Sequence, residues 1–323
     1  MLPNFSYVRA GSRKEALRRL SGPSARVLAG GTDLLGCLRD GVFGADTLVS
    51  IGRIGSLRGI EETGDGGLRI GALTTIAEIA TDDRVLQRYP ALAQAAASVA
   101  SPQLRNQATL GGNLCQRPRC WYFRGEFDCA RKGGELCYAF DGENRYHAIF
   151  GGGSCFIVHP SDTAPALIAL RAVVRVLGDD GERGIPLERF FVLPEQDLHR
   201  ENVLREGELV TELLLPAPAA GLRSSYRKIR ERGAWDFALV SVALAASLED
   251  DSVHDPRVVL GGVAPAPWRS HAAEKAIAGA PLTAESAARA GAAAAEGAEP
   301  LEQNAYKVEL VRAAVEESLL ALG

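Results

Sequence analysis

Ala25-Arg26-Val27-Leu28-Ala29-Gly30-Gly31-Thr32-Asp33-Leu34-Leu35 is the stretch on which the fold turns. Ala25 to Leu28 reads as a strand that empties into two adjacent glycines. Without Cβ atoms there, backbone N–H groups can come close to a phosphate, and Thr32 and Asp33 can add side-chain hydrogen bonds. An ordinary strand-to-helix turn would use the same residues. The stretch contains neither G-x-G-x-x-G nor G-x-x-x-x-G-K-[ST], so neither a Rossmann nor a P-loop reading is supported.

Working outward, Ser12-Arg13-Lys14-Glu15 has the spacing of a capping box, with Ala16, Leu17 and Leu20 as the apolar face of a short helix behind it. Thr47 to Ile51 and Leu68 to Ile70 read as buried strands. Thr75-Ile76-Ala77-Glu78 repeats the capping-box spacing, and Ala91 to Ala100 is helical by composition. Strands alternating with short helices predict an α+β or α/β layer rather than an all-β sandwich. Arg105-Asn106-Gln107-Ala108-Thr109-Leu110-Gly111-Gly112-Asn113 then supplies a second glycine pair about 80 residues after the first. Two such loops could cradle the two phosphates of one dinucleotide.

Five of the six cysteines, Cys115, Cys120, Cys129, Cys137 and Cys155, fall within 41 residues of a 323-residue chain that is 46% apolar and needs no staple to build a core. Disulfides fit poorly in a large domain of this kind. Zinc favours close C-x2-4-C pairs, whereas the gaps after Cys120 are 9, 8 and 18 residues. An iron-sulfur cluster accepts thiolates from separated loop positions. Spacing alone leaves cluster, zinc and unconnected thiols open. Cys37 and Cys115 read as small buried side chains, with Cys115 the replacement should one ligand of a cluster be misassigned. His147 and His159 are candidates for a mixed zinc site or for polar partners of backbone groups. Trp121, Tyr122 and Phe123 read as packing. Arg117 and Arg119 could offset cluster charge, meet a partner or form a solvated face.

A net charge of −4 gives no nucleic-acid footprint. Met1 to Ser6 lacks the start of a signal peptide, and no apolar run reaches the roughly 20 residues of a membrane span. The expected location is cytoplasmic, or periplasmic if a signal-bearing partner carries the chain. Beyond the cysteines, Pro160-Ser161-Asp162 precedes a helix over Ala164 to Leu170, where Asp162 also reads as a carboxylate favoured by the helix dipole. Ala172 to Leu177 and Leu209 to Leu215 read as strands, Arg183 to Leu187 as a surface connection, and Pro216-Ala217-Pro218 as a domain boundary. Arg223 to Ile229, Asp236 to Leu248 and Val258 to Val263, with helices near Ala272 to Ala278, Ala284 to Ala295 and Tyr306 to Leu322, form a last α+β unit.

Ala29-Gly30-Gly31-Thr32-Asp33, Arg105-Asn106, Ala108-Thr109-Leu110-Gly111-Gly112-Asn113, Pro160-Ser161-Asp162 and Tyr226-Arg227-Lys228 together resemble the FAD-binding subunit of the xanthine dehydrogenase family of molybdenum hydroxylases. The resemblance implies an α+β fold: an FAD-binding domain of the vanillyl-alcohol-oxidase (PCMH) type with two subdomains over 1–218, and over 219–323 a C-terminal domain like that of the carbon monoxide dehydrogenase flavoprotein. It assigns FAD to Val27, Leu28, Ala29, Gly30, Gly31, Thr32, Asp33, Leu34, Ala108, Thr109, Gly111, Gly112, Asn113, Asp162 and Lys228, the last reaching over from the C-terminal domain. The insertion at about 114–158, with Gln116 to Phe123, Asn144 to Ala148 and Cys155 to Asp162, is similar to that of the flavin subunit of bacterial heterotrimeric aldehyde oxidoreductases. That likeness implies a 4Fe-4S cluster on Cys120, Cys129, Cys137 and Cys155, with partner subunits carrying the molybdenum cofactor and 2Fe-2S clusters.

In this family substrate is transformed in another subunit, so no catalytic acid, base or nucleophile is expected here. The work implied for this chain is electron transfer through FAD to an external acceptor. Two alternatives stand beside it. One is a flavin subunit like that of 4-hydroxybenzoyl-CoA reductase, with electrons flowing inward. The other is a zinc-stapled interaction module without flavin.

Overall fold

The computed structural model describes residues 1–322. Its first sheet is parallel, in the order β1 (Ser6–Arg9), β3 (Thr47–Ser50), β2 (Ala25–Leu28). Parallel neighbours need crossovers, and the helices Arg13–Leu20 and Leu34–Arg39 supply them. Ala16, Leu20, Val49, Ile51 and Leu57 form the core beneath. The Ser12 hydroxyl accepts from the amide of Glu15, but the Glu15 carboxylate takes the amide of Gly11 instead of Ser12, so only half of the expected capping box forms. At Thr75 and Glu78 both halves form.

The second sheet runs β4 (Ile60–Glu62), β5 (Leu68–Gly71), β8 (Leu209–Leu215), β6 (Val173–Gly178), β7 (Gly181–Pro186), all neighbours antiparallel. β7 corrects the reading of Arg183 to Leu187 as a surface connection. The segment is an edge strand, closed onto β6 by a turn at Asp179-Asp180 with Gly178 opposite Gly181. Only Ile185 of β7 is buried, so the strand lacks the apolar alternation that would reveal it. Its Pro186 sits at the strand end, where a missing N–H costs no ladder bond.

The third sheet is β12 (Trp268–Arg269), β11 (Ser252–Gly261), β10 (Val240–Glu249), β9 (Leu222–Ile229), again antiparallel. Val240, Val242, Leu244 and Ala246 of β10 face helices His271–Ile277, Ala284–Ala294 and Tyr306–Leu320. Ala243 and Ala245 face the other way, into the core built on helices Pro90–Ser98 and Thr163–Ala169. Burial on both faces explains why β10 reads as an unbroken apolar run. The strand begins at Val240 rather than near Asp236, because the Asp236 carboxylate accepts the amides of Glu231 and Arg232 in the preceding turn. Among the described residues no helix is long and apolar enough to cross a membrane.

Candidate functional site

The first glycine pair forms the turn between β2 and helix Leu34–Arg39. Val27 and Leu28 end the strand, and Leu34 opens the helix. A Cβ on Gly30 would lie 2.1 Å from the carbonyl oxygen of Gln107, and Gly31 takes a left-handed φ of +72°. Only glycine fits both demands. Among the described residues the amides of Gly30, Gly31 and Thr32 donate to no protein acceptor, which leaves N–H groups free for an anionic ligand.

The second pair is not a loop. Gly111 and Gly112 lie in the one-turn helix Leu110–Leu114, capped by Thr109, whose hydroxyl accepts from Gly112. The Gly111 amide donates to Ala72 and that of Asn113 to Thr109, so these groups are already spent inside the protein. The five-residue helix is too short to have an apolar period, and glycine disfavours helices, so no local pattern reveals it. The two stretches still touch: Gln107 Nε2 donates to the Gly30 carbonyl at 3.3 Å, with Ala108 following directly.

From there the expected site residues form a connected series. Asn113 Oδ1 accepts from Ser161 Oγ at 2.6 Å and Thr163 Oγ1 at 2.7 Å. Asp162 stands at the head of helix Thr163–Ala169 but caps no amide. Its Oδ2 pairs with Lys228 Nζ and its Oδ1 accepts from Tyr226 OH, both at 2.7 Å. Burial pushes the carboxyl of Asp162 up, against the pull of Lys228, and pushes Tyr226 well up. Ser161 and Asp162 also line a cavity of about 410 Å3 with Cys120, His147, His159 and Phe237.

Cys120, Cys129, Cys137 and Cys155 come from four separate segments and line one cavity, with Tyr122, Phe123, Arg131 and His147. Cys137 and Cys155 share a hydrogen bond. It holds one thiol of the pair well below the ordinary value and the other well above it. His147 Nε2 lies 3.2 Å from Cys120 Sγ. Burial and the nearby Lys307 hold His147 down to about 4, so its ring is neutral at pH 7. Among the described residues no group of three or more His, Cys, Asp or Glu stands ready for a metal ion. The residues lining the cavity, four thiols with no carboxylate and one buried arginine, are of a kind that could hold an iron-sulfur cluster. Cys37 is fully buried and Cys115 packs against the core beneath helix Leu110–Leu114; burial holds them up to about 11 and about 12, as unreactive thiols.

Two carboxylates anchor this segment, Asp33 to the glycine turn and Glu201 to the loop that precedes β8. Asp33 accepts from the Arg117 amide at 2.8 Å and pairs with Arg119 at 2.9 Å and Arg124 at 2.7 Å. Glu201, 5% exposed, pairs with Arg117 at 2.7 Å and Arg131 at 3.3 Å. Arg117 and Arg119 are therefore tied down by carboxylates of this chain rather than forming a free solvated face. Sequence reasoning missed Glu201 and Lys307 entirely. Lys307 is fully buried, and its ammonium donates to the carbonyls of Tyr146, His147 and Gly262. His159 is also buried, its Nδ1 accepting from the Ser161 amide at 3.4 Å and its ring against Phe191.

Residues 3–218 match the family described as FAD binding domain in molybdopterin dehydrogenase, and residues 224–322 match the CO dehydrogenase flavoprotein C-terminal domain. The chain therefore belongs to the family of FAD-binding subunits of the molybdenum hydroxylases, oxidoreductases of the aldehyde oxidoreductase and xanthine dehydrogenase type. It is 42% identical over 275 residues to the aldehyde oxidoreductase FAD-binding subunit PaoB of Escherichia coli (strain K12), covering 84% of this chain and 85% of that one. It is 30% identical over 326 residues to the carbon monoxide dehydrogenase medium chain of Hydrogenophaga pseudoflava, covering 99% and 97%. A solved structure of carbon monoxide dehydrogenase from the same organism superposes with a TM-score of 0.79 at 29% identity, over 100% of this chain and 98% of that one.

Proposed function

We propose that this chain is the FAD- and 4Fe-4S-carrying electron-transfer subunit of a molybdenum-dependent aldehyde oxidoreductase, working with partner subunits that hold the molybdenum cofactor and 2Fe-2S clusters. The convergence of Cys120, Cys129, Cys137 and Cys155 on one cavity carries the reading, in a chain whose relative in Escherichia coli is named an aldehyde oxidoreductase subunit. When bound, FAD and the cluster supply the capacity to take up and pass on electrons to an external acceptor.

The chain's own residues supply position and charge. The free amides of Gly30, Gly31 and Thr32 would receive a phosphate of FAD. Ala108, Thr109 and the Gly111-Gly112-Asn113 turn would flank the cofactor, and the Asp162–Lys228 pair would close its far side. The four cysteines would hold the cluster, with Arg131 offsetting its negative charge and Tyr122 and Phe123 excluding water. In this reading the FAD domain spans 1–218 and carries the cluster insertion at about 114–158.

Absorption spectroscopy of anaerobically purified protein tests this, with iron, sulfide, zinc and flavin quantified on the same sample. About four irons, four sulfides and one FAD per chain are expected. Zinc without iron or flavin would overturn the reading in favour of a stapled interaction module.

A further inference from the structure

We infer that His147 is a positioning residue that hydrogen-bonds the Cys120 sulfur and thereby sets the reduction potential of the centre held by the four cysteines; this rests on the cluster reading above. A thiolate bonded to iron has lone pairs but no proton, so across the 3.2 Å contact the hydrogen must sit on Nε2, leaving Nδ1 bare. Nδ1 has no hydrogen-bond partner in the chain, so no protein acceptor favours the opposite tautomer.

The imidazole is held where it stands. It is 4% exposed, and the edge of its ring system meets Trp121 at 5.5 Å between centroids. Its backbone amide donates to Asn144 at 2.9 Å. Its carbonyl accepts from Lys307 Nζ at 3.1 Å and Asn304 Nδ2 at 3.2 Å. One local bond and two from the distant stretch at Asn304 and Lys307 therefore fix the backbone of this residue. His147 also lines both the cysteine cavity and the neighbouring 410 Å3 cavity containing Ser161 and Asp162. It is part of the wall between the two.

An N–H aimed at a ligand sulfur draws charge off the iron and favours the reduced centre, which carries one more electron; hydrogen bonds to sulfur are among the levers that set such potentials. Removing the donor should favour the oxidised form. In His147→Phe the ring remains and the N–H is lost. At a solution potential where the parent is half reduced, the oxidised-to-reduced ratio should rise about tenfold, which for one electron is about 59 mV. In His147→Gln an amide N–H at similar reach should bring the ratio back to within about twofold of the parent.

The measurement is an EPR-monitored redox titration of the parent and both variants, with iron counted on each sample. A shift in the Phe variant, reversed in the Gln variant at equal iron content, supports the inference. Coincident midpoints in iron-loaded proteins would overturn it and leave the proposed function standing. A parent without iron would overturn both. Should the Phe variant fail to load iron, pulsed EPR on the reduced parent labelled with 15N-histidine decides: coupling to a histidine nitrogen supports the bond, and its absence overturns it.

Discussion

Lys228 on β9 and Asp162 at the head of helix Thr163–Ala169 meet at 2.7 Å, with side chains 3% and 7% exposed, and join the third sheet to the helix that leads into β6 of the second. Tyr226 OH fills the other carboxylate oxygen. A buried pair of this kind adds little over an apolar isostere, yet breaking it strands a charge. Lys228→Met should therefore destabilise the protein by about 3–5 kcal/mol, while Lys228→Met with Asp162→Leu should recover most of that loss. Urea unfolding of the single and double variants checks it; equal losses in both would show that the pair itself is net stabilising.

Gly30→Ala would set a methyl 2.1 Å from the Gln107 carbonyl oxygen. Backbone cannot swing aside as a long side chain would, so the two glycine-bearing segments must part. Overpacking of this sort costs about 1–3 kcal/mol. FAD affinity should fall by about tenfold or more, read by fluorescence titration of the flavin-free protein. Unchanged affinity would remove the Gly30 turn from the cofactor site.

Replacing single thiols separates ligands from packing. Cys129→Ser should lose most of its iron, because it removes one corner of the four-sulfur set. Cys37→Ser and Cys115→Ser should keep the parent iron content, since neither thiol lines the cysteine cavity and burial keeps both protonated at neutral pH. Iron counted per chain is the readout, and iron loss in Cys115→Ser would reassign the ligand set.

Lys307 gives a pH signature. Burial lowers its ammonium from 10.5 to about 7. Between those values the unfolded chain binds a proton that the folded chain has released, so stability rises with pH through that window. Lys307→Met removes the titration and leaves three carbonyls without a donor, at a cost of about 3 kcal/mol near pH 7. Its deficit relative to the parent should widen from pH 7 towards pH 10 in denaturant unfolding, whereas a parallel pair of curves would show an ammonium that stays charged when folded.

The parts legible in the sequence were those with a local physical signature. The capping box at Thr75, the strand Ala25–Leu28 before two glycines and the apolar run of β10 each follow from neighbouring residues alone. The four cysteines were legible as a group by their crowding in a chain that needs no staple, and they do line one cavity. What stayed hidden depends on distant contacts. β7 has one buried residue, so only its pairing with β6 makes it a strand. Asp33 sits in a motif read for a ligand, yet its side chain serves Arg119 and Arg124 more than 80 residues away. Glu201 lies in a stretch without pattern, and its role exists only once Arg117 and Arg131 arrive.

The ammonium of Lys307 gathers three carbonyls from two stretches of chain, Tyr146-His147 and Gly262. Many proteins entrust such a junction to a potassium or sodium ion, which can be dialysed away or displaced by a competitor. Here the cation is tethered by four methylenes to its own helix and shielded from solvent, where added salt screens little. The segment that carries His147 is thus anchored by a group that cannot dissociate from the chain, and what loosens it is a rise in pH through about 7, not an exchange of salts.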